Sequence, residues 1–126
     1  MSFLEAPKTP FLESEIGTEL KPNSVHLLGF RFDGTSCFRK GADLGPDAIR
    51  EVSDGFEDYS PYLNRSTSSI NLYDLGNLPH FPEGTEGWQK TTDYFLELTE
   101  NEKLKENKSR IVTLGGEHSI SYAPIT

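Results

Sequence analysis

The feature that most constrains this chain is a short apolar run ending on two glycines, Arg-Ile-Val-Thr-Leu-Gly-Gly-Glu-His-Ser-Ile-Ser, from Arg110 to Ser121. Ile111, Val112 and Leu114 are apolar and largely β-branched, which reads as a buried strand. Gly115 and Gly116 stop it, and they allow a sharp turn or a close backbone approach. Glu117, His118 and Ser119 follow, and Ile120 to Tyr122 can open a helix. Ligands of open α/β sheets bind outside the carboxyl ends of the strands. One imidazole, one carboxylate and one hydroxyl therefore lie together where chemistry is expected. His118 has two readings. It is either a turn histidine satisfied by hydrogen bonds, with Glu117 solvated, or a metal ligand, because imidazole suits divalent metals. Sequence position alone leaves both open.

Upstream, Ser24 to Phe30 reads as a first strand, buried on both faces in its middle. His26 lies inside it, far from the loop end of the sheet, and reads as structural. Phe32 to Gly45 is a loop long enough to be functional. Its Asp33 follows the strand directly and either orients the loop, meets a ligand or simply forms a turn with Gly34; Arg39 and Lys40 read as solvated. Gly45-Pro46 starts a helix, since proline suits the first helical position. Asp47 complements its dipole, Ala48, Ile49 and Val52 supply an apolar stripe, and Asp54-Gly55 ends it. Arg50 is either a surface residue or a fork of donors tying this helix to the long loop.

Residues 56–69 read as irregular, and Ile70 to Leu75 as a second strand ending in Asp74-Leu75-Gly76. Asn77 to Thr85 is a loop in which His80 is exposed without a partner. Gly87 to Leu98 is the clearest amphipathic helix, with Trp88, Thr91, Phe95 and Leu98 on one face. Glu100 to Lys108 is its polar end plus a solvated loop. Strand, helix, strand, helix, strand and helix start is the pattern of a parallel sheet covered by helices.

Residues 1–22 lack a clean period and read as an N-terminal arm lying on the domain or on a neighbouring subunit. Residues 23–126 read as the N-terminal part of a single α/β domain, because the chain stops at Thr126 just as a third helix begins. The net charge of −8 argues against nucleic acid and anionic membranes as partners. No apolar run approaches a membrane span. Residues 1–20 carry Glu5, Glu13, Glu15 and Glu19 against Lys8 alone, the reverse of a signal peptide. The single cysteine, Cys37, cannot form an internal disulfide, which suits a reducing compartment. These features point to a cytoplasmic protein.

From about Ser24 onward the sequence resembles the ureohydrolase family of agmatinases, arginases and their relatives. Gly29 with Asp33 and Gly34 resembles the family's glycine–acid loop. Gly41, Gly45-Pro46 and Ile49-Arg50 resemble its Gly-Pro-x-x-Ile-Arg helix start, and Asp74-Leu75-Gly76 its Asp-Leu-Gly strand end. Gly115 to Ser119 resembles its Gly-Gly-(Asp/Glu)-His-Ser motif, in the glutamate form followed by Ile120 that looks most like agmatinases.

The resemblance implies a three-layer, arginase-like doubly wound parallel sheet, here incomplete. It implies manganese-dependent hydrolysis of a guanidino compound to urea and an amine, with agmatine as the nearest substrate, and assembly into trimers or hexamers. By the same resemblance His118 is one terminal ligand of a binuclear Mn2+ centre. The family's Asp-Ala-His-x-Asp and Asp-x-Asp segments, which supply the other ligands, do not occur here. The expectation is therefore an N-terminal portion, inactive alone, that exposes strand edges. Two other readings exist. One is a non-catalytic α/β interaction subunit pairing with full-length chains. The other is a nucleotide-binding domain, which lacks the spaced glycines or Lys-Ser/Thr ending that a phosphate loop needs.

Overall fold

The computed structural model describes residues 3–34, 40–80, 84–101 and 104–125. Cys37 and Arg39 lie outside the described residues. In chain order the elements are β1 (Glu15–Ile16), β2 (Val25–Phe30), α1 (Gly45–Val52), β3 (Tyr59–Ser60), β4 (Arg65–Ser66), β5 (Leu72–Asn77), α2 (Gly84–Asn101), α3 (Leu104–Asn107), β6 (Arg110–Gly115) and α4 (Tyr122–Ile125). Short 3-10 turns join several of them. The main sheet runs β1-β5-β2-β6, with all pairs parallel, and β3 and β4 form a small antiparallel hairpin.

The two faces of β2 explain the layers, because alternate residues of a strand point to opposite sides. Leu28 and Phe30 join Leu75, Phe95 and Leu98 in one core, which seats α2 on that face. On the other face α1 approaches so closely that a Cβ on Gly29 would lie 3.1 Å from the Pro46 side chain. Leu27 and Asp74 are register partners on that same face, and α1 sends Arg50 to Asp74 there. The sheet is thus covered on both sides, with the fold class expected from the sequence. The α2 stripe is as expected: Thr91, Phe95 and Leu98 are buried and Trp88 packs against the core.

The arm is laid down on this frame. Glu5 and Asn77 exchange two backbone hydrogen bonds of 2.9 and 2.8 Å, β1 adds beside β5, and Leu20 enters the core. His26 is fully buried and acts as a structural clamp. The Lys21 N–H donates to its Nε2 over 2.8 Å, so the ring proton resides on Nδ1, which lies 3.2 Å from the Arg110 carbonyl. The ring stacks on Tyr73 at 5.7 Å. One imidazole thereby joins the arm's end, the central strand and β6.

Several elements differ from the sequence reading. The buried face of α1 is formed by Pro46 and Arg50, while Ala48 and Val52 are exposed. The helix sits over a polar network, so the expected apolar stripe of Ala48, Ile49 and Val52 is not its packing face. Residues 56–69, read as irregular, contain the β3–β4 hairpin. The second strand runs to Asn77, and α2 begins at Gly84. β6, read as a buried strand, has only β2 as a neighbour among the described residues, and Val112 is 46% exposed. Its β-branched composition fits burial on both sides, but one edge and part of its faces are open here. Beside it a groove of about 730 Å3 is lined by Phe95, Leu96, Leu104, Ile111 and neighbours.

Candidate metal centre at the carboxyl rim

Parallel pairing puts the loops after β2, β5 and β6 on one rim, and the β2 and β6 loops are stitched together there. The Gly116 N–H donates to the Phe30 carbonyl over 3.2 Å, and the Glu117 N–H to that of Phe32 over 2.7 Å. This close approach explains the second glycine. A Cβ on Gly116 would collide with the Phe32 carbonyl oxygen and lie 2.6 Å from the Phe32 nitrogen. Neither Gly115 nor Gly116 has positive φ, so close contact, and not a left-handed turn, requires the pair.

His118 to Ser121 then form a 3-10 turn, with Ile120 buried as its anchor. The Ser119 hydroxyl donates to the Glu117 carboxylate, and the Trp88 indole N–H donates to the Ser119 carbonyl over 3.2 Å. α2 therefore braces the turn from below. His118 itself is exposed on the rim between Glu117 and Ser119. The imidazole, carboxylate and hydroxyl are together as the sequence suggested, although Glu117 is engaged by Ser119.

Asp33 is buried and serves its own loop. Its Oδ2 accepts from the Gly41 N–H over 2.6 Å, while Lys40 Nζ reaches its carbonyl over 2.7 Å. The Gly41 N–H, followed by hydrogen bonds with Asp43 and the nearby Lys40 charge, holds the Asp33 carboxyl below its ordinary 3.8, against burial that pushes the other way. A group whose pKa is depressed by folding stabilises the fold above its unfolded value and loses that contribution as pH falls through the folded one. Asp33→Asn is expected to flatten the fall in stability below about pH 4, measured by urea unfolding at stepped pH. An unchanged acid limb would contradict this role.

His80, expected to be exposed and alone, is half-buried, with Nε2 3.1 Å from Asp43 Oδ2. That is ion-pair separation without the alignment of a hydrogen bond. The contact joins the loop after β5 to the loop after β2, and proximity in the fold, invisible in the sequence, creates it. Arg50 does not tie α1 to the long loop. It is 1% exposed and forks onto Asp74 of β5 at 2.8 and 2.9 Å. Asn77 Oδ1, Asp47 Oδ1 and the Gly76 carbonyl take its remaining N–H groups. Asp74 also accepts from the N–H groups of Phe11 and Gly76, so its role is structural.

Tested for a metal pair, the donors fall short. Among the described residues no group of three or more His, Cys, Asp and Glu side chains could hold an ion. Asp33 is committed to Gly41, Asp43 to its loop contacts and Glu117 to Ser119. His118 is exposed on the rim, in a position where a ligand could reach it.

The fold defines a class before the sequence is compared. The agmatine ureohydrolase of Thermoplasma volcanium superposes with a TM-score of 0.75 at 24% identity, covering 93% of this chain and 37% of that one. The chain has, in part, the parallel-sheet fold of that protein. The sequence model of the Arginase family matches residues 23–126, and the chain belongs to that family. It is 37% identical over 99 residues to the agmatinase of Bacillus subtilis strain 168, covering 79% of this chain and 32% of that protein. It is 31% identical over 119 residues to the N(1)-aminopropylagmatine ureohydrolase of Thermococcus kodakarensis, covering 94% and 40%. The chain spans about a third of the length of the Bacillus relatives.

Proposed function

We propose that this chain is the N-terminal part of a manganese-dependent ureohydrolase, with residues 1–22 as its arm and residues 23–126 as the start of a single domain. The reaction is hydrolysis of a guanidino compound to urea and an amine, with agmatine giving putrescine and urea. The observation that carries this reading is the exposed His118, held on the carboxyl rim by the Gly116–Phe32 approach in a chain of the Arginase family. Similarity to agmatinases supports agmatine over arginine.

His118 is proposed as one ligand of a binuclear Mn2+ centre whose other ligands lie outside these residues. The metal pair, when bound, supplies a hydroxide at neutral pH. This chain's own part is to aim the imidazole. Gly116 fixes where the turn leaves the sheet, Ile120 anchors it and Trp88 props its Ser119 carbonyl. The net charge of −8 favours approach of a cationic guanidinium and no nucleic acid. Among the described residues no helix is long and apolar enough to cross a membrane, and we place the protein in the cytoplasm as a homo-oligomer. A second reading is an interaction subunit that pairs with full-length chains, and the open edge of β6 favours it. Alone, the 126 residues are proposed to be inactive.

The test is urea release with added Mn2+ by the chain extended through the reading frame after Thr126. Urea from agmatine supports the proposal. Urea from arginine alone overturns the substrate, and a stop codon with no urea leaves the interaction subunit.

A further inference from the structure

One peptide group carries the turn that displays His118: the Gly115–Gly116 unit at the end of β6. Its N–H donates to the Phe30 carbonyl of β2 over 3.2 Å. Its carbonyl oxygen faces the start of α1, where a Cβ on Gly45 would lie 2.7 Å from it. Gly45 has φ −55° and ψ −51°, a helical conformation open to any residue. Close approach is therefore what requires glycine there. The peptide plane is gripped on both sides, by β2 through its N–H and by α1 through its oxygen. The next N–H along, that of Glu117, donates to the Phe32 carbonyl over 2.7 Å. Where the chain leaves the sheet toward His118 thus depends on where Gly45 sits.

Gly45 directly follows a 3-10 turn, Ala42–Leu44, with Asp43 at its centre. Asp33 holds the start of that turn through the Gly41 N–H. The Asp43 carboxylate meets His80 of the loop after β5, with His80 Nε2 3.1 Å from Oδ2. Two lone pairs at that separation would repel, so the ring carries a proton on Nε2. That nitrogen has no solvent contact and no hydrogen-bond partner among the described residues, which leaves Asp43 as the group that answers it. Arg50 ties the last turn of α1 to β5. His80 ties the turn before the first residue of α1 to the loop that follows β5. Anchors at both ends hold a helix against pivoting about either one.

We propose that His80 is a positioning residue for the His118 turn. Its contact with Asp43 seats Gly45 against the Gly115 carbonyl, and so sets where the imidazole of His118 stands on the rim. The importance of that placement for hydrolysis rests on the reading of His118 as a metal ligand, whereas the link from His80 to the turn does not. Both side chains of the pair are partly exposed, so the effect of losing it is that of a surface pair, local and small.

Amide hydrogen exchange of the 126-residue chain, followed by NMR, tests the link. His80→Ala is expected to speed exchange at the Gly116 and Glu117 N–H groups about threefold, with Leu27 and Leu28 in the middle of β2 unchanged. His80→Gln keeps an N–H within reach of Asp43 and is expected to keep the parent rates. Gly45→Ala is expected to speed the same two amides about tenfold, because its Cβ displaces the peptide directly. Asp43→Ala added to His80→Ala is expected to change these two amides little further, since the pair acts as one unit. Parent rates at Gly116 and Glu117 in His80→Ala, an equal rise at Leu27 and Leu28, or loss of protection in His80→Gln would overturn the proposal. So would indifference of the two amides to Gly45→Ala. A failed urea assay on the extended chain would remove the hydrolase reading and leave these rates as they are, so the two fail separately.

Discussion

Arg50→Ala is expected to lower the unfolding free energy by about 3–5 kcal/mol, the range for removing one partner of a buried ion pair. The guanidinium is essentially without solvent contact, and its five N–H groups all find acceptors on Asp74, Asn77, Asp47 and Gly76. Removing it strands the fully buried Asp74 carboxylate beside a cavity. It also releases α1 from the sheet, because Arg50 is a principal buried side chain of that helix. Asp74→Ala should cost a similar amount, since it unpairs Arg50 together with the Phe11 and Gly76 N–H groups. The double variant should cost much less than the sum, the signature of two residues acting as one unit. Urea denaturation of the four proteins measures this. A loss below about 1 kcal/mol for Arg50→Ala would show that water or rearrangement replaces the network.

Gly116→Val should be nearly as damaging, by roughly 3–5 kcal/mol. Overpacking of a tight contact contributes about 1–3 kcal/mol and two displaced backbone hydrogen bonds about 1 kcal/mol each. The obstructing atoms belong to the Phe32 backbone, which cannot swing aside as a side chain can. Gly115→Ala is the milder comparison. Its Cβ would meet Ile120 Cδ1 at 2.7 Å, the mobile end of a flexible side chain. If the two variants unfolded at the same urea concentration, close approach at Gly116 would not be what holds the rim together.

The sequence exposed what is periodic or local. The β2 strand, the proline-started α1 and the Thr91–Phe95–Leu98 stripe of α2 each carry a repeat or a boundary residue that physics reads directly. The burial of His26 followed from its mid-strand position. What stayed hidden depends on partners far along the chain. Arg50 and Asp74 are 24 residues apart, and nothing between them announces a buried pair. The Asp43–His80 contact is of the same kind. The apolar residues Ala48, Ile49 and Val52 of α1 pointed instead to an apolar packing face, whereas Pro46 and Arg50 are the buried ones. β6 was misjudged because composition reports the environment a strand suits and not the neighbours present in a given chain. At the site, the position of His118 on the rim was legible from the double glycine, whereas the engagement of Asp33 by Gly41 was not.

The most direct test of the central claim is manganese content alongside urea release, in the extended chain and its His118→Ala variant. The account predicts that the parent binds Mn2+ and releases urea from agmatine. It predicts that the variant folds normally, loses manganese and loses at least about 100-fold in activity, because removing a ligand should cost no less than disturbing the residues behind one. A variant that kept full manganese occupancy and full activity would show that this imidazole is no part of the metal centre.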